Sequence, residues 1–474
     1  MKELSQSDKN TRFDRRRRNV ALLVAGTFFM EILDGTIVTT AAPSIGRSLG
    51  VASVSVGVTI TAYLLTLAVL IPLSGWITRR FGSRRIFLAA IAIFTIASVL
   101  CAVSTSLTEL TIMRVFQGIG GAMMVPVGRL AVLRVTDRSD LVRMIALLTW
   151  PALAAPVIAP LAGGLLTTYG SWHWIFLINV PLGLIAFVAA LRLIPAEAPE
   201  TPPVLDWLGL VLTCVGLGAL VYLGSLLSDR SGALIELVTF GIVGVGITWV
   251  AIVHMLRTPH PLLELRALHI ETFRVAHAGG SLFRLTVNAV PFLLPLLFQD
   301  GFGWSPVLSG TLVLFIFVGN IAIKPMTTPL LRRFGFRTVI IAASAGVMVS
   351  ISLLALFRRE TPLWLIIVVL VFGGIVRSTG FTAYNTIAFA DIERVDMTDA
   401  NTLASTLQQL AAGFGVAIGA LALRGGQLFF GPTGYPSFGV AFLVLAALAA
   451  VALIEAILLS TAAGENIRPL PIRA

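Results

Sequence analysis

Long apolar stretches recur along the whole chain, separated by short polar segments that are rich in arginine and glycine. A helix of about 20 apolar residues is long enough to cross the hydrocarbon core of a bilayer. Stretches of this length therefore predict a polytopic, all-helical membrane protein. We predict fourteen spans, near residues 19–45, 54–77, 86–104, 108–133, 142–167, 173–194, 207–226, 233–256, 272–298, 306–330, 338–357, 363–389, 400–423 and 436–460.

An internal repeat divides these spans into two halves. The segments SGWITRRFGSRRIFLAA (74–90) and TTPLLRRFGFRTVIIAA (327–343) align without a gap at an offset of 253 residues, since 327 − 74 = 253. Each joins one predicted span to the next, so spans 1–6 correspond to spans 9–14. Spans 7 and 8 are then an insertion between two pseudo-symmetric six-helix bundles.

The predicted organisation has seven parts. They are a basic N-terminal segment (1–18), the first six-helix bundle (19–194), a linker (195–206), two inserted transmembrane helices (207–256), a second linker (257–271), the second six-helix bundle (272–460) and a tail (461–474).

The distribution of charge sets the expected orientation. Only 12% of the residues are charged and 57% are hydrophobic, where a soluble chain carries about 25% charged residues. The net charge of +11 is concentrated in short clusters between spans, such as those at 12–18, 79–85 and 332–337. Basic loops lie on the cytoplasmic side of a membrane, so we expect both termini there and no nucleic-acid partner. The basic residues that this orientation leaves on the other side are Arg47, Arg230, Arg358, Arg359 and Arg424.

Two acids interrupt the first span. Glu31 and Asp34 lie three residues apart in FFMEILDGTIVTTAAP, so they share nearly one helix face. A carboxylate in hydrocarbon is costly, and both burial and a like-charged neighbour favour its protonated form. Such a pair suits a proton-coupled carrier. The alternative is that one acid pairs with an arginine to stabilise the bundle.

Basic residues also lie at membrane depth. Arg114 falls in span four, and Arg284, Lys324 and Arg377 fall in the second half, so acids and bases are expected to face each other across a central cavity. Arg129 lies near the end of span four, where its side chain can reach the interface. Neutral side chains that we expect to contribute hydrogen bonds to a substrate are Asn288, Asn320, Tyr384, Asn385, Gln408 and Gln409.

The sequence lacks the motifs of an energy-coupling or catalytic site. It contains no G-x-x-x-x-G-K-[ST] loop for phosphate and no H-E-x-x-H or paired-cysteine metal site. Cys101 and Cys214 lie in apolar segments and indicate no disulfide framework. We therefore expect a secondary transporter driven by a proton gradient, with no other cofactor, no metal and no enzymatic activity.

Four short motifs carry a resemblance to a known family. They are LDGTIVTTAAP (33–43), GWITRRFGSRR (75–85), RVFQGIGGA (114–122) and APVIAPLAGG (155–164). In order, they resemble the first-helix motif, the cytoplasmic gate motif, the fourth-helix motif and the antiporter motif of the fourteen-span drug:proton antiporter family, the multidrug efflux branch of the major facilitator superfamily. The resemblance covers the whole chain. It implies the major facilitator fold, alternating access and export against inward proton flow.

The resemblance also implies roles for individual residues. In the family the first-helix acid and the fourth-helix arginine belong to the proton-coupling network, which carries over to Asp34 and Arg114. Glu31 is outside the motif, so its role rests on the physical argument alone. The residues that stand at gate-motif and antiporter-motif positions are Gly75, Arg79, Arg80, Gly82, Arg84 and Arg85, and Pro156, Pro160, Gly163 and Gly164.

Departures from the family pattern occur at a few motif positions. Thr39 stands where asparagine is usual, and alanines 155 and 159 replace glycines of the antiporter motif. Arg79 stands where the gate motif has an acid that latches the cytoplasmic side. We hypothesise that the acids after span twelve, Asp391, Glu393, Asp396 and Asp399, pair with Arg79 and Arg80 instead.

Two substrate classes remain open at this point. The resemblance favours a multidrug exporter in the inner membrane of a bacterium, acting as a monomer on small organic molecules. The bases in the second half favour a dedicated proton-driven exporter of a small organic anion or a metal–carboxylate chelate. The partners expected in either case are the substrate, protons and the lipid bilayer.

Overall fold

The computed structural model describes residues 6–135, 141–195, 204–229, 234–393, 396–431 and 434–459. Within these ranges the chain is helical and contains no β-strand. The predicted tail (461–474), most of the first linker (195–206) and Arg230 lie outside them.

Fifteen helices are described, together with short 3₁₀ or π segments at Ser53–Val56, Arg266–His269 and Leu297–Gly301. The helices are α1 (Gln6–Leu49), α2 (Gly57–Phe81), α3 (Ser83–Val103), α4 (Leu107–Val135), α5 (Leu141–Tyr169), α6 (Trp174–Leu177), α7 (Asn179–Leu193), α8 (Trp207–Asp229), α9 (Leu234–Arg257), α10 (Glu271–Leu296), α11 (Pro306–Ala322), α12 (Lys324–Leu354), α13 (Leu363–Ile387), α14 (Met397–Phe430) and α15 (Tyr435–Leu458).

These helices account for the predicted spans. Among the described residues, 12 helical segments are long and apolar enough to cross a membrane, and two shorter apolar helices cover residues 154–169 and 306–322. The short helix α6 and α7 together form the sixth span, Trp174–Leu193. The chain is therefore an all-α, multi-pass membrane protein, as its apolar pattern predicts.

The tenth and eleventh spans differ from the prediction. The pattern predicts continuous helices over 306–330 and 338–357, but the helix breaks at Ile323 and resumes at Lys324. Pro325 has no N–H to donate to the carbonyl of Ile321, and a proline ring clashes with that carbonyl in a continuous helix. The following helix ends at Leu354, three residues before the predicted end.

Glycines with positive φ confirm the internal repeat. Gly82 ends α2 at φ 84°, and Gly335, 253 residues later, interrupts α12 at φ 77°. Gly50 and Gly303 are related by the same offset and have φ values of 68° and 70°. Only glycine adopts these angles without strain, which explains why the repeat keeps glycine where the chain turns.

Repeat-related arginines fix the turns in the same way. Arg84 donates from Nη2 to the carbonyl of Leu191 at 2.6 Å, near the end of α7. Arg337, again 253 residues later, donates to the carbonyl of Ile457 at 2.8 Å, near the end of α15. Each arginine thus satisfies a carbonyl at a helix C-terminus, where a positive charge is favourable. We call the end of the bundle that carries Gly82 and Gly335 the basic end, and the other the far end.

Close packing joins the two halves at the far end. A Cβ added at Gly164 of α5 would lie 2.5 Å from the carbonyl oxygen of Pro306, and one at Gly310 of α11 would overlap the carbonyl of Pro160. Nearer the middle of the bundle, Thr61 of α2 donates to the carbonyl of Gly413 in α14 at 3.3 Å. Small residues let helix backbones approach closely in membranes, so the backbones of α5 and α11 are in contact at this end.

The inserted helices are held by one aspartate. Asp206 precedes α8, and its Oδ1 accepts from the N–H of Gly209 and from Nε2 of His254, both at 2.8 Å. Its Oδ2 accepts from the N–H of Leu262 at 3.1 Å. This single side chain, 4% exposed, therefore connects the start of α8, the end of α9 and the linker that leads to the second half.

Gly310→Ala should weaken the far-end contact, because the added methyl group overlaps the Pro160 carbonyl. We expect a loss of about 1–3 kcal/mol in the free energy of unfolding, the usual effect of overpacking. The matched control is Gly246→Ala in α9, where a Cβ has no neighbour within 4 Å and the higher helix propensity of alanine is the main effect. Thermal unfolding of both variants in detergent measures the difference. Equal midpoints would contradict the close approach of α5 and α11.

Asp206→Asn should destabilise the protein at neutral pH by about 1–3 kcal/mol, because asparagine does not supply a charged acceptor to three donors. Burial alone would raise the pKa of Asp206, but the hydrogen bonds from Gly209, His254 and Leu262 outweigh it and lower that pKa. The stabilisation is therefore present above the usual carboxyl value of about 3.9 and is lost as the pH falls further. Unfolding midpoints of the two proteins should converge in acid; a constant difference between pH 7 and pH 3 would contradict this assignment.

Candidate functional site

Asp34 and Arg114 form a buried ion pair in the first half. Arg114 Nη1 donates to Asp34 Oδ2 at 2.5 Å, and both side chains are 0% exposed. Removing either partner from such a pair leaves an uncompensated charge in a medium of low dielectric constant. The resemblance implied a network between these two residues, and in the structure they are in direct contact.

Neutral amides complete the coordination of Asp34. Its Oδ1 accepts from Gln117 Nε2 at 2.9 Å and from Asn179 Nδ2 at 2.7 Å. Both amides also donate to the Ser98 hydroxyl, at 2.7 and 3.3 Å. The network therefore joins α1, α3, α4 and α7, and every one of its side chains is fully buried.

The arginine is enclosed by aromatic rings. Its guanidinium carbon lies 4.1 Å from the ring centroid of Tyr63 and 5.8 Å from that of Phe176. A cation is attracted to the face of an aromatic ring, most strongly where water is excluded. Arg114 Nε and Nη2 are buried and have no acceptor among the described residues. Arg114 thus keeps N–H groups that can form new hydrogen bonds when the helices rearrange.

Asn179 is a site residue that the sequence analysis missed. It begins α7, directly after the break at Ile178 that separates α6 from α7. The signal in the sequence is a single asparagine within the apolar run WIFLINVPLG. A polar side chain inside a span is costly unless it has a partner, and that alone could have marked it.

Glu31 and Asp34 have different surroundings although they share a helix. Glu31 is 8% exposed and lines two cavities, whereas Asp34 is 0% exposed and lines neither. Among the described residues, Glu31 has no hydrogen bond and no ion pair. A helix rises about 1.5 Å per residue, so Glu31 lies about 4.5 Å nearer the basic end than Asp34. Glu31 is thus the acid that a molecule in the cavities can contact.

The two cavities lie between the halves. The central one has a volume of about 290 Å³ and is lined by α1, α2 and α5 from the first half and by α10, α11, α13 and α14 from the second. The other has a volume of about 500 Å³ and lies toward the basic end, between α1, α2, α4 and α14. Glu31, Ile32 and Gln409 line both, so the cavities adjoin at these three residues.

Arg377 is the basic residue that the structure brings to the central cavity. It lies there with Asn288, which accepts from Arg377 Nη2 at 3.1 Å. Arg377 Nη1 donates to the carbonyl of Val287 at 3.1 Å. Gln408 and Gln409 line the cavity toward the basic end, together with Arg129.

The other predicted cavity residues lie elsewhere. Arg284 is 1% exposed and donates to the carbonyl of Ala276 at 2.9 Å and to Asn385 Oδ1 at 2.7 Å, inside the second bundle. Lys324 Nζ donates to the Thr382 hydroxyl at 3.2 Å. Arg284, Lys324, Asn320, Tyr384 and Asn385 line neither of these two cavities.

The antiporter motif shapes the helix α5. Gly163 packs against Ile37 and Thr40 of α1, and Gly164 packs against Pro306. Pro156 lines the central cavity, and the carbonyl of Pro160 contacts Gly310. The motif therefore lets one helix touch both halves of the protein.

The gate motif lies at the basic end. Arg79 and Arg80 lie in the last turn of α2, Gly82 makes the turn, and Arg84 and Arg85 lie in the first turn of α3. Arg79 and Asp399 line a cavity of about 380 Å³, but no ion pair joins these two residues in the described part of the chain. The compensating latch stays a hypothesis.

A buried acid–arginine network beside cavities between two six-helix halves defines a membrane transporter. The sequence model described as Major Facilitator Superfamily matches residues 24–209 and 277–473 and leaves out most of the two inserted helices. The chain belongs to this superfamily, specifically to its multidrug efflux family.

Curated relatives agree with this assignment, and solved structures show the same fold. A protein of Pectobacterium atrosepticum named "Putative multidrug resistance protein MdtD" is 38% identical over 406 residues, which is 85% of this chain and 86% of the relative. The protein of the same name from Escherichia coli is 37% identical over 407 residues, 85% of each chain. A POT family transporter in complex with 5-aminolevulinic acid has a TM-score of 0.69 at 15% identity and covers 95% of this chain and 96% of its own. A D-xylose–proton symporter has a TM-score of 0.64 at 14% identity, with 91% and 96% covered, so both show the fold.

Asn179→Ala should weaken the network, because it removes a donor from Asp34 and leaves Oδ1 with Gln117 alone. A buried acceptor that loses a partner costs about 1–3 kcal/mol, and we expect a loss of that size in the free energy of unfolding. Thermal unfolding in detergent measures it. The matched control is Asn401→Ala, an exposed asparagine of α14, which should stay within about 0.5 kcal/mol. Equal effects of the two changes would contradict a structural role for Asn179.

Proposed function

We propose that this protein is a proton-coupled antiporter that exports small organic molecules across the inner membrane of a bacterium by alternating access. The observation that carries the proposal is the sealed Asp34–Arg114 network beside a cavity that reaches toward the basic end. The names of the relatives support a multidrug type of substrate.

The orientation follows from charge. Basic loops lie on the cytoplasmic side of membranes, so we place both termini and the basic end in the cytoplasm. The closed contact between α5 and α11 then faces the outside, and the cavity toward the basic end faces the cytoplasm. In this arrangement a substrate enters from the cytoplasm while the outer path is closed.

The coupling step is assigned to Asp34. Protonation of this carboxyl group would remove the counter-charge of Arg114, and an unpaired buried charge destabilises the protein by several kcal/mol. A transporter with this pair can therefore link the arrival of a proton to a movement of α1 against α4. Glu31, which lies between Asp34 and the cavity toward the basic end, is assigned a place on the proton path.

A second candidate function is the dedicated export of a small organic anion or a metal–carboxylate chelate. Arg377 favours it, because a guanidinium group in the central cavity has little use in an exporter of cations. The same cavity contains Glu31, which an anion would avoid. The two functions are therefore distinguished by the charge of the transported molecule.

The purified protein in proteoliposomes with an enclosed pH dye tests the proposal. We expect that a substrate such as tetraphenylphosphonium changes the internal pH, and that Asp34→Asn reduces the response at least about tenfold because the titratable group is lost. Glu31→Gln should reduce it less. Asp300→Asn, which changes an acid outside the network, is the matched control and should keep most of the response.

The proposal is wrong if neither cations nor anions such as citrate produce a proton response in the wild-type protein. It is also wrong in its assignment of Asp34 if Asp34→Asn keeps full coupling while it folds normally.

A further inference from the structure

We propose that the central cavity selects zwitterionic molecules, with Glu31 receiving the cationic group of the substrate and Arg377 the anionic group. This inference rests on the proposed function, since it names the substrate class of the same cavity. It goes beyond both candidate functions above, since neither assigns Glu31 and Arg377 to two groups of one substrate molecule.

Glu31 provides an acceptor without a partner. Glu31 lines both cavities, and its carboxyl group forms no hydrogen bond or ion pair among the described residues. Burying an ionised carboxylate is costly unless a cation or hydrogen-bond donors compensate it. An ammonium group of a substrate would supply that compensation. Asp34 is not available for this role, because Arg114, Gln117 and Asn179 occupy both of its oxygens.

Arg377 provides a donor that is positioned but not neutralised. Its two hydrogen bonds go to the carbonyl of Val287 and to Asn288, and no carboxylate pairs with it among the described residues. The rings of Phe317 and Phe381 lie 5.7 and 5.5 Å from its guanidinium carbon and hold it in place. A guanidinium group recognises carboxylates through two parallel hydrogen bonds. The positive charge of Arg377 is thus available to an anionic group.

The other buried arginines do not have this freedom. Arg114 is paired with Asp34, and Arg284 is bonded inside the second bundle to Ala276 and Asn385. Arg377 therefore lines the central cavity together with Glu31, whereas Arg129 lines the cavity toward the basic end.

The cavity wall between the two charges is mostly apolar. Ile60, Leu64 and Leu67 line it from α2, and Phe317 and Val416 line it from the second half. Such a wall fits the hydrocarbon or aromatic part of a molecule, while the few polar groups fix its orientation. No ion pair joins Glu31 and Arg377 in the described part of the chain, so each charge is free to bind its own group. A rigid molecule with an amine at one end and a carboxylate at the other satisfies both.

Norfloxacin and two derivatives on the same scaffold test the inference. Norfloxacin carries an amine and a carboxylate, its methyl ester keeps only the amine, and N-acetylnorfloxacin keeps only the carboxylate. Export from proteoliposomes under an imposed proton gradient is followed by the fluorescence of the quinolone. We expect the KM of norfloxacin to be at least about tenfold lower than that of either derivative, because each derivative leaves one charged side chain without its partner.

Substitutions at the two charges should act on different probes. Arg377→Gln should raise the KM of norfloxacin and of N-acetylnorfloxacin about tenfold and leave that of the ester nearly constant. Glu31→Gln, at a residue that is also assigned to the proton path, should raise the KM of norfloxacin and of the ester about tenfold relative to the KM of the N-acetyl derivative. Arg377→Lys, which keeps the charge, should restore part of the preference.

Lys324→Gln is the matched control, since it removes a positive charge from the second half outside the two cavities and should affect the three probes alike. Thermal unfolding of each variant shows whether it folds. The Glu31→Gln result keeps the test decisive if Arg377→Gln does not fold.

Similar KM values for norfloxacin and its ester, or transport of the N-acetyl derivative alone, would overturn the inference. A proton response to tetraphenylphosphonium without export of norfloxacin would also overturn it and would leave the proposed function standing. If no probe of any charge exchanges for protons, the proposed function itself fails.

Discussion

The structure of the first half depends on the cost of burying Asp34 and Arg114. Each ion would lose several kcal/mol of hydration in the membrane interior, and the pair is stable there only because every carboxylate oxygen has a donor. Meeting that requirement brings α1, α3, α4 and α7 together around one carboxyl group. The hydrogen bonds that stabilise the buried charge of Asp34 are therefore also contacts that hold the helices of the first half together.

The network around Asp34 is specific to the first half. At the offset of 253 residues, Val287 of α10 occupies the position of Asp34. An apolar side chain at this position leaves the second half without the acid around which the first-half network forms. Conversely, Arg284 of α10 stands where the first half has Glu31. The two halves share their glycine turns, whereas their buried charged residues differ.

Much of the fold follows directly from the sequence. The apolar runs predict the spans because hydrocarbon thickness fixes helix length, and the repeat locates Gly82 and Gly335 because only glycine makes those turns without strain. The break at Ile323 shows where the pattern is insufficient. Hydropathy does not register Pro325 as an interruption, although the missing N–H ends α11 at Ala322, three residues earlier. The site was predicted through Asp34 and Arg114, while Asn179 was missed because one asparagine carries little periodic signal.

The sequence by itself determined that the chain crosses a membrane many times, that its halves are related and that ionisable groups lie at membrane depth. Only the tertiary structure decided which of these groups meet. Glu31 and Asp34 are three residues apart on one helix, yet one faces a cavity and the other is enclosed by three neighbouring helices. Arg284 and Arg377 are both arginines of the second half. Arg377, on α13, lines the central cavity, whereas Arg284, on α10, is bonded inside the bundle. Helix rotation and neighbour packing set these differences, and neither is encoded in the local pattern of a span.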